Sequence, residues 1–129
     1  MIVVDTNILA YLYLPTEHTL KVEALLANDP GWIAPTLWRS EFRNILALYL
    51  RKNLLTFDQA LAIQNEAESL LQDSEFVVNS FDVLQLVQNS ECSAYDCEFV
   101  ALAKYMNVHL IIMDKKVLKN FPDIAKPLL

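Results

Sequence analysis

Short apolar runs rich in β-branched residues alternate with longer helical stretches along this chain. That alternation predicts an α/β domain, a mostly parallel central sheet flanked by helices. The runs Ile2–Val4, Trp32–Ala34, Phe76–Val78 and Leu110–Met113 are apolar throughout, without a polar alternate face, as parallel strands covered on both sides require. A length of 129 residues with 54% hydrophobic content suits one compact domain spanning 1–129, able to bury roughly two-thirds of its unfolded surface.

Ile2-Val3-Val4 reads as a strand ending at Asp5, with a helix starting at Thr6 or Asn7. A second helical pattern covers Glu17 to Asn28, and Asn28-Asp29-Pro30-Gly31 breaks it before the strand Trp32–Ala34. A third helix is expected from Thr36 to Lys52, stopped at Asn53. The next, Thr56 to Gln72, fits either a helical hairpin beside the sheet or a strand-helix-strand unit. Phe76–Val78 is a strand, Phe81–Asn89 and Ala94–Met106 are helices, and Leu110–Met113 is the last strong strand, ending at Asp114. Gly31 is the only glycine, so Asn28, Asn53, Asn89 and Asn107 are the expected helix-ending residues, asparagine being the other type that tolerates a left-handed cap.

The same composition excludes several function classes. One glycine cannot build a dinucleotide turn or a phosphate-binding loop, which need several backbone positions free of side chains. Two cysteines and two histidines make neither a zinc finger nor a disulfide framework, so Cys92 and Cys97 read as reduced, semi-buried thiols. The longest uncharged stretch, Thr6 to Thr16, is eleven residues, short of the roughly 18 that cross a bilayer. Met-Ile-Val-Val before Asp5 carries no basic leader, and a cytoplasmic protein is expected. A mean hydropathy of +0.26 is high for a small domain and points to apolar surface covered by a partner or a second copy. The net charge of −6 is unevenly spread: residues 53–103 hold nine acids and no Lys or Arg, whereas the remainder holds ten bases against seven acids. Lys115, Lys116, Lys119 and Lys126 near the carboxyl end fit a solvated face as readily as a nucleic-acid contact.

Four carboxylates carry the functional argument. Ligands of open α/β sheets gather outside the carboxyl ends of the strands, and Asp5 and Asp114 each follow a strand directly. Each alone could be a helix N-cap. Glu41 is more telling: on a helical wheel with Leu37 at zero it falls at about 40°, inside the arc of Leu48, Ile45, Trp38, Tyr49 and Phe42 and opposite Arg39, Ser40, Arg43 and Arg51. A carboxylate turned inward needs a partner or stays protonated, and the base on its own face, Lys52, is three turns away. A bound cation resolves the conflict. Ser93-Ala94-Tyr95-Asp96 matches a capping box, yet Asp96 borders the apolar arc of its helix and could face inward, while Glu98 projects about 160° away and is expected to be exposed. Were Asp5, Glu41, Asp96 and Asp114 to converge, each pair would repel by on the order of 3 kcal/mol at about 5 Å and an effective dielectric of roughly 20. An all-oxygen set without Cys or His selects hard cations, Mg²⁺ or Mn²⁺, and suits phosphodiester hydrolysis through a metal-activated water.

At these residues the sequence resembles the PIN-domain family, and most closely its small VapC-type toxin ribonucleases. The carrying motifs are Val3-Val4-Asp5-Thr6-Asn7, Ser40-Glu41-Phe42-Arg43-Asn44, Ala94-Tyr95-Asp96 leading into Phe99-Val100-Ala101-Leu102-Ala103, and Ile111-Ile112-Met113-Asp114 with Leu118. The resemblance implies a PIN-like three-layer sandwich and a metal-dependent endoribonuclease site at Asp5, Glu41, Asp96 and Asp114. It also implies an RNA substrate, a homodimer and a cognate antitoxin. Ile112 departs from the family, which often has a hydroxyl residue two positions before the last acid. The alternative from another class is a non-catalytic interaction module of the same fold, its acids serving as caps and ion-pair members. Thr6, Asn7 and Asn44 are candidates for orienting the carboxylates, with helix capping the competing role for Thr6 and Asn7. His109 reads as structural and His18 as exposed. Trp32, Trp38, Tyr11 and Tyr13 could stack bases but equally fit core or dimer surface.

Overall fold

A computed structural model describes all residues from 1 to 129. In chain order the elements are β1 (Ile2–Val4), α1 (Thr6–Tyr13), α2 (Thr19–Asn28), β2 (Trp32–Pro35), α3 (Trp38–Arg51) and α4 (Phe57–Leu70). They continue with β3 (Glu75–Phe76), α5 (Ser80–Gln88), α6 (Ala94–Met106), β4 (Leu110–Ile111), α7 (Lys115–Asn120) and β5 (Ala125–Lys126). The five strands form one sheet in the order β3-β2-β1-β4-β5, and every pairing is parallel. This is the α/β sandwich that the alternation predicts.

The strand order reverses at β1: the chain moves to β2 on one side, and β4 later returns to pair on the other. Such a switch point leaves a crevice at the carboxyl ends of the two central strands. Register fixes what lies there, because Val4 pairs with Ile111 and the Asp5 N–H donates to the Ile111 carbonyl at 3.1 Å. β1 is buried along its whole length, so Asp5 leaves the middle of the sheet and not its edge.

One contiguous core of 31 buried residues underlies this arrangement. α6 packs on β1, β2 and β4 and against α5, whereas α1 packs on α2 and α3. Trp38 and Phe42 of α3 are fully buried, with ring centroids 5.8 Å apart edge to face, and truncating such a ring costs about 3–5 kcal/mol. α4 packs on α3 with no strand between them, which decides for the helical hairpin over the strand-helix-strand unit.

Asn53 and Asn107 take left-handed backbone at φ 58° and 55°. The following N–H groups close the helix ends on the carbonyls of Tyr49 and Ala103. Asn89 caps α5 but stays at φ −97°, and Asn28 remains helical, so neither is left-handed, while Asp73, two residues past the C-cap of α4, takes φ 64°. The third strand covers Glu75–Phe76 in place of Phe76–Val78, since Val77 turns out to solvent. The short α7 and β5 had no periodicity long enough to announce them.

Candidate active site

Asp5, Glu41, Asp96 and Asp114 come from four different elements and line one cleft of about 440 Å³ at the switch point. Thr6, Asn7, Leu37, Ser40, Asn44, Ile45, Tyr95 and Ile112 complete its wall. The four acids singled out in the sequence thus share one cleft, without three of them closing on a single point. Each carboxylate reaches the cleft for a different local reason.

Asp5 sits at the N-cap position of α1 but makes no capping hydrogen bond. Burial pushes its carboxyl up to about 7, the charge of Glu41 adds to the rise, and the N–H dipoles of Thr6 and Asn7 oppose it. Glu41 enters from the first turn of α3, half-buried. Its Oε1 accepts a 2.7 Å hydrogen bond from the hydroxyl of Thr6, itself only 4% exposed. Burial raises the Glu41 carboxyl, and the Thr6 hydrogen bond resists that rise. The open role of Thr6 is thus a side-chain bond across to α3. On α3 the buried arc is Trp38, Phe42 and Leu46, so Glu41 stands at its margin beside Ser40, Asn44 and Ile45 and not at its centre.

Asp96 lies in the first turn of α6, where its backbone N–H donates to Ser93 Oγ at 3.1 Å. Only half of the capping box forms, leaving the carboxylate to face the cleft. Burial and then the charge of Asp114 push its carboxyl up. Asp114 does cap a helix, because its Oδ1 accepts from the N–H groups of Lys116 and Val117 at 2.9 and 3.2 Å. The cap role and the cleft position coexist, and the cap uses Oδ1 alone.

None of these acids is ion-paired with Lys, Arg or His. Nor do three His, Cys, Asp or Glu side chains close on a single point. The arrangement is an open cleft that four carboxylates share, those of Asp5, Glu41 and Asp96 raised; an all-oxygen donor set of this kind fits a hard cation that keeps several waters of its own. Asn7, Ser40 and Asn44 stand in the wall with no competing side-chain partner, and Ile112 makes it apolar beside Asp114.

Glu98 differs from expectation. It is half-buried, burial raises its carboxyl, and its charge raises Glu41. The wheel misled because α6 is packed nearly all round, with Cys97, Val100, Ala101 and Leu102 all buried, so it has no wide solvent face. His18 is also half-buried, its ring 4.8 Å from that of Tyr11. His109 is exposed and outside the cleft. Trp32 and Trp38 are core residues, while Tyr11 and Tyr13 pack against the core, so none of the four lines the site.

The model of the PIN domain family matches residues 2–126. The chain belongs to the PIN domain family. Ribonuclease VapC3 of Pyrobaculum aerophilum is 26% identical to this chain over 131 residues, covering 98% of each. Two solved structures share the PIN fold. FitAcB from Neisseria gonorrhoeae superposes with a TM-score of 0.76 at 18% identity, covering 100% of this chain and 97% of that one. PAE2754 from Pyrobaculum aerophilum gives 0.71 at 19% identity, covering 98% and 90%.

Proposed function

We propose that this PIN domain is a Mg²⁺- or Mn²⁺-dependent endoribonuclease, the toxin of a type II toxin–antitoxin pair, acting as a single domain over 1–129. The observation that carries the reading is the gathering of four carboxylates from four elements in one cleft with no cationic side chain to neutralise them. Acids that serve only stability usually have a cationic partner or a full set of hydrogen bonds; Glu41 and Asp114 each hold one hydrogen-bonded oxygen, but none of the four has an ion-pair partner. The relative named Ribonuclease VapC3 supports RNA as the substrate and the toxin assignment.

Asp5, Asp96 and Asp114 would hold the ion, and Glu41 would either join them or hold the attacking water. A bound Mg²⁺ or Mn²⁺ supplies Lewis acidity that makes water nucleophilic near neutral pH and offsets charge on the phosphodiester. Thr6 fixes Glu41 through Oε1, leaving Oε2 to accept a hydrogen bond from the incoming water. The Asp5 N–H, tied to β4, holds the two central strands in register so that Asp5 and Asp114 face the same crevice.

Surplus apolar surface supports protein partners, a homodimer and a cognate antitoxin. Leu20, Phe57, Val77, Phe81 and Tyr105 are each largely exposed and offer apolar side chains for a partner to cover. An antitoxin segment with apolar anchors and one basic residue would satisfy the cleft acids directly. No helix is long and apolar enough to cross a membrane, and the proposed site of action is the cytoplasm.

The test is cleavage of RNA by the purified chain with Mn²⁺ and with chelator. Activity that needs the ion and falls in both Asp5→Asn and Asp96→Asn supports the assignment; undiminished cleavage in either variant overturns it. A non-catalytic interaction module of the same fold finds its one support in the helix cap made by Asp114. It predicts no Mn²⁺ binding that depends on Asp5 and Asp114.

A further inference from the structure

Tyr95 is the only aromatic side chain in the cleft wall, and 61% of it is exposed. It stands in the first turn of α6, directly before Asp96. The other tyrosines near the site are used by the fold: Tyr11 lies against His18, and Tyr13 packs edge to face on Phe42 with its hydroxyl on the Glu66 carbonyl. Tyr95 has no ring partner, and its hydroxyl bonds nothing in the chain. Folding gives this ring no contact that explains it, while its neighbour points a carboxylate into the same cleft.

We infer that Tyr95 is a substrate-positioning residue whose ring stacks an unpaired base of single-stranded RNA, setting the phosphate beside that base over Asp96 and Asp114. The inference rests on the ribonuclease reading above. With the cleft acids holding the divalent ion of that reading, the site would offer two grips of different chemistry, the exposed ring for a base and the ion for the phosphate beside it. Base stacking on an aromatic ring tolerates any base, because every base has a π-face. Bases inside a duplex already stack on one another and are out of reach of such a ring. Tyr95 therefore favours unpaired segments without reading a sequence, and it needs the ring and not the hydroxyl.

The experiment uses the full chain with Mn²⁺ and a short unstructured RNA carrying 5-iodouridine, in three variants. Tyr95→Phe is expected to keep kcat and KM. Tyr95→Ala and Tyr95→Leu are expected to raise KM about tenfold with kcat nearly unchanged, the pattern of lost ground-state binding, and photocrosslinking of the wild type should map to Tyr95. The leucine variant keeps apolar bulk without a π-face. Leucine at the wild-type KM, or a crosslink that maps elsewhere while the wild type cleaves, overturns the stacking role and leaves the ribonuclease reading standing. A wild type that cleaves no RNA removes that reading and this inference with it. Loss in Tyr95→Ala of binding to a protein partner, with KM for RNA unchanged, also overturns it.

Discussion

Two faces of α3 handle charge in opposite ways. On one, Arg39 donates Nε and Nη2 to the carboxylate of Glu75 at 2.6 and 2.7 Å and Nη1 to Glu68 at 2.9 Å, while Trp38 Nε1 adds a 2.7 Å bond to Glu75. The Arg39 hydrogen bonds hold the Glu75 carboxyl below its ordinary value. Two residues further along, on the other face, Glu41 joins three aspartates and finds only the Thr6 hydroxyl. There burial drives Asp5, Glu41 and Asp96 upward. The Arg39 cluster is closed by its own side chains and ties α3 to α4 and β3. The cleft is left open, and its stability is reduced by the same repulsion that would attract a divalent ion. The contrast separates acids matched by a cation of the chain from acids that share a cleft without one.

The sharpest way to break the comparison is to neutralise one member of each set. Asp5→Asn is expected to lower Mn²⁺-dependent RNA cleavage at least about a hundredfold, read in a steady-state assay, while the fold is kept or gains stability. Glu75→Ala is expected to do the reverse, lowering stability by about 1–3 kcal/mol in denaturant melts because Trp38 and Arg39 lose their acceptor, with Mn²⁺ affinity little changed. Equal effects of both variants on metal binding would erase the distinction.

Smaller perturbations sharpen it. Thr6→Val removes the hydroxyl that fixes Glu41 and should cost about tenfold in activity, with Thr6→Ser restoring it. Loss of activity in the serine variant too would mean that the methyl packing of Thr6 matters and its hydrogen bond does not. The pH dependence has a definite sign. Asp5 is raised from the model-compound value of 3.8 to about 7, so the folded state binds the proton more tightly than the unfolded chain. This contribution to stability is complete below about pH 4 and is lost as pH rises toward 7. Without divalent metal, thermal melts of the wild type should therefore fall across that interval more steeply than those of Asp5→Asn, and saturating Mn²⁺ should restore the wild type alone.

Much of this was legible in residue order. The four apolar strand runs and the acids placed just after two of them located the sheet and the strand ends that line the cleft, and the helical wheel singled out Glu41, which the structure puts at the margin of the buried arc. What escaped depends on packing that no local pattern encodes. Glu98 reads as exposed on a wheel until α6 is seen to be buried on nearly every side. Thr6 could have been a cap, and only the approach of α3 to α1 makes its hydroxyl a partner of Glu41. The Arg39 cluster joins residues 29 and 36 positions apart, a pairing no helical spacing announces. α7 and β5, six and two residues long, exist because β4 offers an edge and Asp114 a cap.

Calorimetric titration of Mn²⁺ near pH 6.5, run in buffers of different ionisation enthalpy, tests the central claim most directly. If Asp5 and its neighbours form the ion site, the wild type binds Mn²⁺ with release of protons as the raised Asp5 carboxyl ionises, and both Asp5→Asn and Asp114→Asn lose that binding. Equal Mn²⁺ affinity in all three proteins, with no proton released, would contradict it.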